Sequence, residues 1–208
     1  LTMALVMADA GFMITGVEID SRRREQLLEG ESYIHEQGLG ELLDKEIGKN
    51  FNVCAEIPQE GDVYIITVGT PVVDNIHGAK SLNTSFLKEA SINVGKKLAK
   101  GNLVVLRSTV PIGTTVNLVK PILEETSGLT CGVDFHLSFA PERTAEGKAL
   151  KELRSLPQII GGFTKESVES TAAIFRDLTP VLVRVKSIEE AEMAKLINNS
   201  FRDYVFAF

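Results

Sequence analysis

Short apolar runs rich in β-branched residues recur along the chain, each followed by a stretch with helical periodicity, and this alternation leaves few ways to fold. FMITGVEI from Phe12 to Ile19, DVYIITVGTP, NLVVLRSTVP, FHLSFAPE, QIIGG and PVLVRV read as strands. Between them DSRRREQLLEG, with Asp20 or Ser21 as N-cap and Gly30 as stop, reads as a helix, as do GLGELLDKEIG, Thr84 to Lys100, Gly113 to Thr126 and Lys165 to Leu178. Strands that are apolar throughout are buried on both faces, which requires helices above and below a parallel sheet. The predicted class is α/β, a doubly wound and mostly parallel sheet with helices on both faces.

The two ends read as helices as well. SIEEAEMAKLINNSFRDYVFAF opens with Ser187 and Glu190 in the spacing of a capping box, and no Gly or Pro follows through Phe208. LTMALVMADAGF has no basic start and carries Asp9, unlike a signal peptide, and it runs into Ala10-Gly11 as a helix ends. With Leu1 first and a helix still running at Phe208, the expectation is a part of a larger polypeptide.

Charge and composition narrow the function. Twenty-two basic against 28 acidic side chains give a net charge of −6, with no Lys/Arg-rich run, so a nucleic-acid partner is not expected. Apolar runs break before the ~18 residues of a membrane span. Cys54 and Cys131, with His35, His77 and His136, show no metal-ligand spacing, and two cysteines fit a reducing, cytoplasmic setting. Neither cysteine has the basic or glycine-rich setting of a nucleophile. No repeat or low-complexity tract is present.

Several polar residues fall where an open α/β sheet binds ligands, at the carboxyl ends of strands. Glu18 ends the first strand, where an acid accepts from ribose hydroxyls and repels a 2′-phosphate. The G-x-G-x-x-G turn that would strengthen this reading is absent, and Glu18 equally closes a strand at the surface. Thr70-Pro71 and the STVPIG stretch, Ser108 to Gly113, end two further strands; turn chemistry alone also produces such sequences. Glu142 and Glu146, flanked by Arg143 and Lys148, are carboxylates in a loop after a strand, suited to general-base work or simply solvated. Lys195 and Asn199, four apart on the last helix, share a face and could together hold a developing alkoxide.

Taken in order, GVEIDSRR, IHEQGLGELL, TVGTPVVDN, RSTVPIGTT, FAPERTAEGKAL, LPQIIGG and EAEMAKLINNSFRD resemble the nucleotide-sugar 6-dehydrogenases, the UDP-glucose/GDP-mannose dehydrogenase family, from Leu1 to Phe208. The resemblance implies a Rossmann-like NAD-binding domain over residues 1–186, without its first strand and glycine turn, and the start of a long central helix over 187–208 through which two chains pair. It implies oxidation of a sugar C6 alcohol to a carboxylate in two steps with NAD⁺. Glu18 and Arg23 would hold the adenosine ribose, and Gly69, Thr70 and Thr109 would line the nicotinamide. Glu142 would work through Thr109 and a water as acid/base, Glu146 would lie between cofactor and substrate, and Lys195 and Asn199 would stabilise the oxyanion and contact the substrate. The sugar-nucleotide-binding domain and the cysteine nucleophile, which would form a thiohemiacetal and then a thioester, would lie beyond this chain.

Pro141 to Arg143 and NNSFRD look more like the branch acting on UDP-N-acetylhexosamines such as UDP-N-acetylmannosamine. The UDP-glucose branch usually has an aromatic where Arg143 stands, and a cation there suits an acetamido carbonyl better. UDP-glucose and UDP-N-acetylglucosamine remain alternatives. So do a β-hydroxyacid dehydrogenase, which also spaces a lysine and an asparagine four apart on a long helix, and a non-catalytic nucleotide-binding module.

Overall fold

The computed structural model describes residues 1–74, 80–145 and 147–208; Glu146, and the Asn75 that ends one matching stretch, lie outside the described residues. In chain order the first elements are α1 (Thr2–Asp9), β1 (Ile14–Val17), α2 (Ser21–Leu28), α3 (Leu39–Glu46), β2 (Phe51–Cys54), β3 (Val63–Ile66), β4 (Val72–Asp74), β5 (Lys80–Leu82) and α4 (Ser85–Gly95). There follow β6 (Leu103–Leu106), a π-helical turn (Thr115–Val119), α5 (Lys120–Ser127), β7 (His136–Phe139), α6 (Ala149–Ser155), β8 (Gln158–Gly162), α7 (Lys165–Arg176), β9 (Leu182–Arg184) and α8 (Ile188–Ala207). The chain forms two compact units, one of residues Leu1–Gln59, Thr144–Pro157 and Ile174–Val181, the other of Glu60–Arg143, Gln158–Ala173 and Leu182–Phe208.

Unit one pairs β1 with β2 in parallel, Ile14 opposite Phe51. Leu5, Ala8, Leu27, Leu39, Leu43 and Phe51 form its buried core, α1 and α3 each turning two apolar side chains inward, α2 adding Leu27 and β2 adding Phe51. Asp9 ties three helices, taking Lys45 of α3 and Arg154 of α6, and those two cations hold its carboxyl below the usual range. The N-cap of α2 is Asp20, whose carboxylate accepts from the backbone of Arg22 and Arg23.

Unit two is built on a five-stranded sheet of order β3-β6-β7-β8-β9. The pairs β3·β6, β6·β7 and β8·β9 are parallel, and β7·β8 is antiparallel. The doubly wound, mostly parallel expectation therefore stands, with one reversed junction. All four residues of β6 are buried, as its unbroken LVVL run requires of a strand covered on both faces. A separate hairpin pairs β4 with β5. The expected helix from Gly113 to Thr126 divides into a π-helical turn and α5. Pro121 has no N–H to give the Asn117 carbonyl, and its ring presses on it; one wider turn before the proline relieves both.

Helix α8 starts as its sequence indicates. The Ser187 hydroxyl accepts from the Glu190 N–H at 3.3 Å, and the Glu190 carboxylate reaches back to accept from Lys186 N at 2.8 Å, one residue beyond the N-cap N–H of a capping box. Its buried stripe is Ile188, Ala191, Glu192 and Lys195. Gly161 on β8 lets this helix lie against the sheet: a Cβ there would stand 2.4 Å from the Ser187 carbonyl oxygen and 3.0 Å from Ala191 Cβ. Among the described residues no helix is long and apolar enough to cross a membrane.

Gly161→Ala forces α8 off β8. The expected cost is about 2 kcal/mol, as for overpacked cores, read as a lower denaturant midpoint at unchanged slope; equal midpoints would show that the helix yields freely.

Candidate functional site

In unit two the loops after β3, β6 and β7 leave neighbouring parallel strands at their carboxyl ends, so Thr70, Thr109 and Glu142 emerge along one sheet edge. The first two loops are tied by hydroxyls. Thr70 Oγ1 donates to the Thr109 carbonyl at 2.6 Å, and Ser108 Oγ donates to the Val68 carbonyl at 2.7 Å. These bonds hold Gly69, which is exposed, and the half-buried Thr70 and Thr109 in one fixed backbone arrangement.

Glu142 is held by groups that sequence reasoning missed. Arg107, the residue after β6, is buried with 2 % of its side chain exposed, and its Nη2 meets Glu142 Oε2 at 2.8 Å while Nη1 donates to Gln158 Oε1 at 3.1 Å. Gln158 in turn donates to the Pro141 carbonyl at 3.2 Å. A guanidinium has no acceptor capacity and keeps its charge, so it fixes the carboxylate by a charge-assisted bond. At the end of an apolar strand it carried no periodic signal of burial.

Lys195 lies on the buried stripe of α8 at 7 % exposure, and its ammonium donates to the Glu142 main-chain carbonyl. Burial pushes its pKa down; Glu142 opposes the fall, and Arg202, Arg107 and Arg143 add to it. Asn199, half-buried one turn further on, accepts from Arg202 Nη2 at 3.1 Å. Arg143 is half-buried, and burial lowers its pKa against the pull of Glu142. The structure thus brings Lys195 to Glu142 and Thr70 to Thr109.

Glu192 was missed too. Fully buried, it accepts from the backbone of Gly113 and Thr115 and from the Thr115 hydroxyl. Its position on the stripe Ile188, Ala191, Lys195 was the available signal, because a charge repeated at core spacing is one that the core must satisfy.

Glu18 and Arg23 belong to unit one. The Glu18 carboxylate accepts from Asp20 N at 3.0 Å and from the Tyr33 hydroxyl at 3.3 Å, and the Arg23 guanidinium lies 5.1 Å from the Tyr33 ring centre. A carboxylate oriented by two donors at the end of a strand is an acceptor that fits ribose hydroxyls.

Neither cysteine is poised as a nucleophile. Cys54 Sγ donates to the Glu56 carbonyl at 2.8 Å, and burial, with Glu124 near, pushes the Cys131 thiol up to about 12. Among the described residues no group of three or more His, Cys, Asp or Glu could hold a metal ion.

The chain matches the model of the UDP-glucose/GDP-mannose dehydrogenase family, NAD binding domain, over residues 1–179. It is 33% identical over 214 residues to the UDP-N-acetyl-D-mannosamine dehydrogenase of Campylobacter jejuni, covering 100% of this chain and 52% of that protein. It is similar to the solved UDP-N-acetyl-mannosamine dehydrogenase of Staphylococcus aureus, at 32% identity and TM-score 0.87 over 97% of this chain and 48% of that one. The GDP-mannose dehydrogenase of Pseudomonas aeruginosa is similar at 28% identity and TM-score 0.88, over 99% of this chain and 48% of that one. The chain spans about half the length of the curated relatives it matches.

With the Cys131 pKa about 12, only about one thiol in 10⁴ is ionised at pH 8. Iodoacetamide at that pH is expected to leave Cys131 unmodified in the native protein and to alkylate it in denaturant, by mass spectrometry; alkylation under native conditions would refute its burial.

Proposed function

Because this chain belongs to the UDP-glucose/GDP-mannose dehydrogenase family and carries its NAD-binding domain, we propose that the full-length protein oxidises the C6 alcohol of a UDP-sugar to the uronic acid in two NAD⁺-dependent steps. The substrate is UDP-N-acetyl-D-mannosamine. The observation that carries this reading is the buried ammonium of Lys195 held against the Glu142 loop. A cation kept from water there is a preorganised partner for an alcohol oxygen that becomes negative.

Bound NAD⁺ supplies a hydride acceptor. This chain's residues bind, orient and manage protons. Glu18 would accept from the ribose hydroxyls and disfavour a 2′-phosphate, and Arg23 would contribute to the adenosine side. Gly69, Thr70 and Thr109 would hold the nicotinamide side of the cofactor. Glu142, its carboxylate steadied by Arg107, takes the alcohol proton through Thr109 and a water. Lys195 and the Asn199 amide stabilise the oxyanion. The names of the Campylobacter and Staphylococcus relatives support the acetamido sugar, as does Arg143, whose guanidinium suits an acetamido carbonyl. The second oxidation needs a cysteine that neither Cys54 nor Cys131 provides, and we assign it to the remainder of the polypeptide.

The protein works as a cytoplasmic homodimer through α8. Met193, Ile197, Phe201 and Tyr204 are exposed at helical spacing along this helix and form an apolar stripe for a second copy.

With full-length protein the expected stoichiometry is two NADH per UDP-N-acetylmannosamine, with slower turnover of UDP-glucose and UDP-N-acetylglucosamine. One reduced cofactor per sugar, or preference for a hydroxyacid, would overturn the reading. Because Lys195 titrates below its usual range near 10.4, activity is expected to fall on the alkaline side at a pH below that value as the ammonium loses its proton. Lys195→Arg, charged throughout, should lack this limb; an unchanged limb would assign it to another group.

A further inference from the structure

We propose that Glu192 is a positioning residue, anchoring α8 to the Gly113–Thr115 turn and so setting where Lys195 and Asn199 stand. Its consequence for catalysis rests on the function proposed above; the anchoring itself does not.

A fully buried carboxylate is costly unless its oxygens are satisfied by directed donors. Glu192 Oε1 accepts from Thr115 N at 2.9 Å and from Thr115 Oγ1 at 2.6 Å, while Oε2 accepts from Gly113 N. These donors open the helix that begins with the π-helical turn, where the orphan N–H groups and the axial dipole both favour an anion. Gly113 holds the turn at φ +86, and a Cβ there would stand 2.7 Å from Asn117 Nδ2, so glycine is required for the turn to aim its N–H at the carboxylate. The turn continues directly from Thr109.

The other end of the link is a rigid helix. Lys195 is three residues after Glu192 on the same buried stripe, and Asn199 four residues beyond it. At a rise of about 1.5 Å per residue the ammonium starts roughly 4.5 Å along the axis from the anchor. Rotation by one residue, about 100°, would carry Glu192 off its donors and Lys195 off the Glu142 carbonyl together. Gly161 fixes the start of α8 by close contact, which resists approach but does not select rotation. Directed bonds to Glu192 do. Burial raises the pKa of Glu192, and the bonds from Thr115 and Gly113 work against that rise.

The test uses the full-length protein and the variants Glu192→Gln, Thr115→Val, Lys195→Ala and the double variant E192Q/K195A. Glutamine keeps the volume but offers an NH₂ to one N–H donor. The expected result for E192Q is a fall in kcat of tenfold or more, with the Kd for NAD⁺ by calorimetry changed less than threefold and a smaller fall for T115V. The double variant is expected to be no slower than K195A alone, because a residue acting through Lys195 has nothing left to position. Multiplying effects in the double variant would overturn the proposal. Hydrogen exchange supplies a readout independent of turnover: in E192Q, protection should drop together in residues 111–119 and 188–198. Loss confined to one segment would overturn the anchor, and T115V serves the same measurement if E192Q fails to fold. A wild-type protein that oxidises no sugar nucleotide would refute the proposed function, while the exchange data would still decide the anchor.

Discussion

Two opposite charges, Glu192 and Lys195, lie on the inner face of one helix, and the rest of the site depends on how each is satisfied. They do not pair as a simple salt bridge. The carboxylate takes donors from the Gly113–Thr115 turn, and the ammonium gives to the Glu142 carbonyl. Each charge therefore binds α8 to a different loop, one following β6 and the other following β7. A buried ion left without its partners would cost several kcal/mol. That penalty gives the helix one rotation and one register, where an apolar stripe alone would tolerate small slips.

Sheet order does the complementary work. Because β3, β6 and β7 are adjacent and parallel, their carboxyl ends are separated by one strand spacing each, about 4.8 Å. Three short loops from one edge are thereby neighbours without any long excursion of chain, and the Thr70–Thr109 and Arg107–Glu142 bonds lock them. The reversal at β8 follows this group in the sheet order and leaves it intact.

Most of this frame could be read from the residues, and the exceptions have physical reasons. Unbroken apolar runs such as LVVL announce themselves by their β-branched content, and amphipathic stretches such as Lys165 to Leu178 by their period. Strand β2 is four residues with Asn52 in it, and β4 and β5 are three residues each, too short to establish alternation. Helix α6 buries no residue completely, so it had no stripe to detect. The direction of β8 is not encoded in side-chain alternation at all. At the site, Lys195, Asn199, Glu142 and Thr109 were reached through the order of short blocks. Arg107 and Glu192 were not, since single charges in apolar segments are ordinarily solvated. What exposes them is register: Glu192 shares the spacing of Ile188, Ala191 and Lys195, and a helix that buries the apolar pair buries the charged pair with it.

The choice of a main-chain carbonyl as the partner of Lys195 has a chemical consequence. A carboxylate in that place would neutralise the ammonium and raise its pKa, leaving little field for a substrate oxygen. A carbonyl satisfies one N–H and leaves the charge whole, while Arg202, Arg107 and Arg143 add positive potential around it. Among the described residues the Glu142 carboxylate, itself engaged by Arg107, acts against them on the ammonium. In the function proposed above, negative charge developing on an alcohol oxygen at this ammonium would strengthen the attraction as the proton leaves. An interaction that strengthens along the reaction lowers the barrier, whereas one equally strong at the start would only tighten binding.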